Sequence, residues 1–147
     1  MATLHKDIFI ACSPEHVWDA VRDIGALHTR LVPGFVINTL VEDGGEARLV
    51  TFGNGMVVRE AILSIDNERR RIAWTAEGGA LMHYNAVLTI EPSDIGSHVL
   101  WTTDFLPNAQ RETVARMQDQ ALSAMKRALE SNSLEIDTQN GQHASAE

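Results

Sequence analysis

One long apolar stripe near the C-terminus limits what this chain can fold into. Val114, Met117, Ala121, Ala124 or Met125, and Ala128 recur at helical spacing, on a segment that Asn108 can cap after Pro107 and that runs to about Leu129. Gln118 falls on the edge of the stripe and narrows it. Between Phe35 and Leu106 the apolar period is two instead. Phe35 to Glu42, Glu46 to Phe52, Met56 to Ile65, Ile72 to Glu77, His83 to Glu91 and His98 to Leu106 read as strands separated by turn signals. A further strand ends at Ile10, before Ser13-Pro14, a hydroxyl N-cap and a proline that open a helix carrying Val17, Trp18, Val21 and Ile24. A second short helix carries Leu27 and Leu31.

The pattern predicts an α+β fold: about seven antiparallel strands, with two short helices after the first and one long helix at the end. Only the last helix can cover the sheet, so the sheet must curl around it. A curled sheet and one helix leave space between them, and mostly apolar cavities are the usual small-molecule sites. Residues 1–131 read as one domain, and the polar, aperiodic residues 132–147 as a disordered tail.

Composition excludes several classes. Net charge is −8, from 12 basic and 20 acidic side chains, which argues against nucleic acid and anionic membranes as partners. The Arg69-Arg70-Arg71 run reads as a solvated turn. No apolar run is long enough for a signal peptide or a membrane span, and a single cysteine, Cys12, gives no internal disulfide, so the expectation is a cytoplasmic protein. The six histidines lack ligand spacing and no Gly-rich loop has phosphate-cradling form, so neither a metal nor a cofactor is expected.

Alternation assigns inward faces to Ile72, Trp74 and Ala76; to Tyr84, Ala86, Leu88 and Ile90; and to Val99, Trp101, Thr103 and Phe105. The strand from Met56 to Ile65 is ambiguous. Val58, Glu60 and Ile62 compete with Val57, Ala61, Leu63 and Ile65, and periodicity slightly favours the second set, with Glu60 in solvent.

The segment EHVWDAVRDIGALHTRLVPGFV resembles the opening of the START-related superfamily, which includes bacterial polyketide cyclase/dehydrase-like proteins and the birch pollen allergen. The stretch VVREAILSIDNERRRIAWTAEGGALMHY is similar to the plant abscisic acid receptors of that superfamily, through Glu60, the Ile65–Arg70 turn, Trp74, Gly78-Gly79 and Tyr84. The likeness covers about residues 3 to 130 and implies the helix-grip fold, with Glu60, Trp74, Ala76, Tyr84 and Ala86 lining the cavity. It places Gly53-Asn54-Gly55 at the receptors' gating loop, without that loop's Ser-Gly-Leu-Pro-Ala pattern. The receptors' hormone-gripping lysine is replaced by Leu31, Val32 or Pro33, and their acid on the last strand has no counterpart. These departures point to the more general bacterial pocket protein.

The resulting candidate site comprises Val58, Glu60, Ile62, Trp74, Ala76, Tyr84, Ala86, Trp101, Thr103, Met117 and Ala121. Glu60 and Tyr84 are its chemically active pair. A carboxylate in an apolar cavity must be hydrogen-bonded, neutralised or hydrated. Glu60 is therefore satisfied by a neighbour such as Tyr84 or by water, or binds a ligand hydroxyl, or acts as a general acid/base. Three functions follow: binding of a small hydrophobic, cyclic or aromatic metabolite; a polyketide cyclase/dehydrase-like lyase or isomerase; or a protein interaction module with an incidental cavity. A homodimer is left open.

Overall fold

Seven antiparallel strands form one sheet in the order β1-β7-β6-β5-β4-β3-β2, in a computed structural model that describes residues 1–145 and the side chains of residues 1–132. The strands are β1 (Ala2–Ile10), β2 (Val36–Glu42), β3 (Ala47–Phe52), β4 (Val57–Asp66), β5 (Arg71–Glu77), β6 (His83–Ser93) and β7 (Gly96–Leu106). Hairpins join β2 through β7 in sequence. β1 closes the other edge by pairing with β7, from Ala2 opposite Phe105 to Ile10 opposite Ser97. Gly96 belongs to that close approach: a Cβ there would lie 2.4 Å from the Ile10 carbonyl oxygen.

Two short helical segments follow β1. Helix α1 (Pro14–Arg22) starts as predicted, with Ser13 Oγ accepting from the His16 amide at 3.2 Å, and buries Val17, Trp18, Ala20 and Val21. Leu27–Leu31 forms a π-helical turn that buries both leucines.

The long helix α2 (Arg111–Ser145) is preceded by a 3-10 turn, Asn108–Gln110. Asn108 lies inside that turn and makes no capping hydrogen bond, so the expected cap is not formed. Val114, Gln118, Ala121, Leu122, Ala124, Met125 and Leu129 are buried. Val114, Leu122, Met125 and Leu129 each contribute about 1.5–3 kcal/mol of transfer free energy, the two alanines less. The helical backbone continues past Leu129, where sequence periodicity stops, because the apolar stripe marks contact with the sheet and not the limit of helical hydrogen bonding. The tail reading falls mainly on side chains outside the described ones.

The fourth strand corrects the periodicity reading. Val58 and Glu60 are buried, whereas Val57 and Leu63 are 48% and 56% exposed. A β-bulge between Ile62 and Ser64 inserts a residue, so no single alternation runs through β4. Outer-face apolar residues then mimic an inward set.

Candidate functional site

Between the concave sheet face and α2 lies a cavity of about 220 Å³. The sheet supplies Val50, Val58, Ile72, Trp74, Leu88 and Trp101, and the helix supplies Val114, Met117, Gln118, Ala121 and Met125. Leu27, Leu31 and Phe35 close one side. The exposed lining residues Gly78, Gly79, Ala80 and Thr113 place the opening between the β5–β6 turn and the start of α2. Gly78 and Gly79 have φ of 118° and 72°, which only glycine adopts freely, so that rim depends on both.

Of the predicted site residues, Val58, Glu60, Trp74, Ala76, Tyr84, Trp101, Met117 and Ala121 line the cavity. Ile62, Ala86 and Thr103 do not. Ile62 packs on the core beside the bulge, Ala86 is fully buried between Trp74 and Thr103 on the neighbouring strands, and Thr103 is covered by Gln118. Facing the concave side is therefore not sufficient for reaching the cavity, because neighbouring side chains can cover a residue.

The polar residues that the sheet contributes to the wall fall in one row across adjacent strands. Arg48 on β3 is opposite Glu60 on β4, and Glu60 is opposite Ala76 on β5. Tyr84 on β6 lies one step beyond the last paired rung, Thr75 with Asn85, and so continues the row. The small side chain of Ala76 leaves the space between Glu60 and Tyr84 open.

The partner of Glu60 is Arg48 and not Tyr84. Arg48 Nε donates to Glu60 Oε1 at 2.7 Å, and both side chains are buried. Arg48 Nη1 also donates to the Ile24 carbonyl at 3.3 Å, and the guanidinium carbon sits 5.9 Å from the Trp74 ring centroid. Arg48 is the one cation and Glu60 the one anion among the described residues that line the cavity.

Tyr84 belongs to a second network. Gln118 Nε2 donates to Thr103 Oγ1 at 2.6 Å and more weakly to the Tyr84 hydroxyl at 3.4 Å. Burial pushes the Tyr84 phenol up to about 12, and the nearby Glu60 charge adds to the effect. The phenol therefore stays protonated at neutral pH and can donate a hydrogen bond into the cavity. Gln118 Oε1, Trp74 Nε1 and Trp101 Nε1 are buried without a hydrogen-bond partner among the described residues, and all three side chains line the cavity. Such orphaned groups are uncommon in folded proteins, and a water or a ligand group in the cavity can satisfy them.

Sequence reading missed Arg48 and Gln118. The first was legible in outline: Gly53-Asn54-Gly55 centres the β3–β4 hairpin on Asn54, and counting outward from it sets Arg48 against Glu60. The second followed the stripe from Val114 but was placed at its edge.

An antiparallel sheet gripping one long helix over an apolar cavity is the helix-grip architecture. The chain belongs to the polyketide cyclase / dehydrase and lipid transport family, whose model matches residues 1–130. Among solved structures it is similar to the protein XoxI of Bacillus cereus, at 19% identity and a TM-score of 0.79, covering 93% of this chain and 99% of that one. It is similar to Ara h 8.0201 at 19% identity and a TM-score of 0.72, covering 88% and 98% of the two chains. Norcoclaurine synthase from Thalictrum flavum is similar at 22% identity and a TM-score of 0.68, covering 91% and 87%. No curated protein matches the chain in sequence.

Proposed function

We propose that this protein binds a small, largely apolar, ring-bearing metabolite in the cavity between sheet and helix. The observation that carries this reading is the character of the wall. It is apolar apart from Arg48, Glu60 and Tyr84 along one row of the sheet, Gln118 facing them from the helix, and Gln110 and Thr113 beside the opening. Apolar walls supply affinity and a few placed polar groups fix orientation, the usual division in ligand pockets. The volume exceeds the roughly 150 Å³ that accommodates a benzene ring. Trp74 and Trp101, with ring centroids 6.0 Å apart, offer faces for a ring to pack on. The family description, covering cyclases, dehydrases and lipid transport, supports an apolar small-molecule ligand.

Titration with N-phenylnaphthylamine, followed by quenching of tryptophan fluorescence in a Trp18→Phe background, tests the reading. Trp18 is removed because its Nε1 is engaged with Asn67 Oδ1 at 3.0 Å, away from the cavity wall. The parent should bind the probe saturably, and Ala76→Trp, which fills the space between Glu60 and Tyr84, should lose at least about tenfold in affinity. Equal binding by both proteins would place the probe elsewhere and refute the proposal.

A further inference from the structure

Building on that reading, we infer that the ligand is uncharged and carries a hydroxyl, alcoholic or phenolic, that sits between Glu60 and Tyr84. The cavity's charges already cancel. The Arg48 guanidinium is held by the Glu60 carboxylate at 2.7 Å and the Ile24 carbonyl at 3.3 Å, and no second cation among the described residues lines the wall. An incoming carboxylate would gain attraction from Arg48 but meet repulsion from Glu60 beside it. The desolvation cost of burying that third charge would then stand unbalanced. A neutral hydroxyl meets no such conflict.

The row supplies what a hydroxyl needs. Glu60 uses Oε1 for Arg48, and Oε2 makes no hydrogen bond among the described residues, so it is an acceptor. The Tyr84 oxygen accepts from Gln118 Nε2, leaving its own O–H as a donor. One O–H group can donate to the first and accept from the second. Ala76 between them provides the room, and the apolar wall beyond takes the ring.

Calorimetric titration with naphthol and with naphthoate, which share one ring system, tests the inference. At neutral pH the parent should bind naphthol at least about tenfold more tightly than naphthoate. Glu60→Gln leaves Arg48 unneutralised, so naphthoate affinity should rise by about tenfold and the preference should shrink or reverse. Tyr84→Phe should weaken naphthol several-fold and leave naphthoate nearly unchanged. If Glu60→Gln does not fold, the parent's own ratio and Tyr84→Phe decide the matter. Naphthoate binding as tightly as naphthol, in a parent that takes N-phenylnaphthylamine, would overturn the inference and leave the binding reading standing. A parent that takes none of the three probes would overturn both.

Discussion

Arg48 and Glu60 face each other across the β3–β4 hairpin as a buried ion pair, 2.7 Å from Nε to Oε1, in the wall of an otherwise apolar cavity. Desolvation makes such a pair a weak source of net stability. Breaking it by removing one partner is costly all the same, because the survivor is left as an uncompensated buried charge. Arg48→Met and Glu60→Leu are each expected to lower unfolding free energy by about 3–5 kcal/mol, and the double variant to recover most of the loss. Urea unfolding of the four proteins checks this. Additive losses in the double variant would show that the two side chains do not act as a pair.

Tyr84 is the chain's single tyrosine, so tyrosinate absorbance reports on it alone. Burial raises its folded-state value from 10.0 to about 12. Below pH 10 both folded and unfolded states keep the proton, and the group has no effect on pH dependence. Between pH 10 and 12 the unfolded chain ionises first, so stability falls as pH rises, by at most about 2–3 kcal/mol. The spectroscopic midpoint of the native protein should therefore lie well above 10, and Tyr84→Phe should lose this part of the alkaline destabilisation. A native midpoint near 10 would place the phenol in solvent.

Lys126 lies outside the apolar stripe of α2, yet it straps the helix to β1. Its Nζ donates to the Phe9 carbonyl at 2.7 Å, lies 5.2 Å from the Phe9 ring centroid and pairs with Glu130 at 3.0 Å. Glu130 Oε2 in turn accepts from the Ala11 amide at 2.9 Å, which with Lys126 holds its carboxyl below the usual range. Lys126→Asp is expected to cost about 1–3 kcal/mol. Arg116→Asp, at an exposed position without a partner among the described residues, should stay within about 0.5 kcal/mol. Glu130→Gln should be destabilising at neutral pH, and its deficit should fade as pH falls through the lowered carboxyl value and the parent loses the same charge. Thermal melts at pH 7 and in acid test all three.

Ala121 is 3% exposed where α2 meets the cavity wall. Ala121→Asp buries an unpaired charge there and should be among the most damaging single changes, lowering stability by several kcal/mol. A melting temperature equal to that of Arg116→Asp would mean that the helix does not dock as described.

Leu129 is the last buried apolar side chain among the described residues, and Ser131 and Asn132 are exposed. Truncation after Ser131 is expected to leave the melting temperature and N-phenylnaphthylamine affinity nearly unchanged. A large loss of either, or a change in oligomeric state, would show that residues 132–147 dock on the domain.

Some of this is legible in the order of residues alone. A single long apolar stripe after a run of hairpins requires a sheet curled on one helix. The Ser13-Pro14 start of α1 is local chemistry, decided by one hydroxyl and one ring. The inward faces of β5 and β6 follow from alternation, because those strands run without a bulge through the cavity wall. Glu60 is different: periodicity sends it to solvent, and only family likeness turns it inward. A bulge and an apolar outer face, Val57 and Leu63 included, erase the contrast on which alternation depends. Hairpin counting sets Arg48 opposite Glu60, but tertiary structure alone decides that the two pair inside the cavity wall, that Gln118 covers Thr103 and touches Tyr84, and that Lys126 is a strap. Each of these is a contact between elements distant in sequence or on facing strands. Its energy depends on where the sheet's curvature brings side chains together, and residue order along one element carries no record of that.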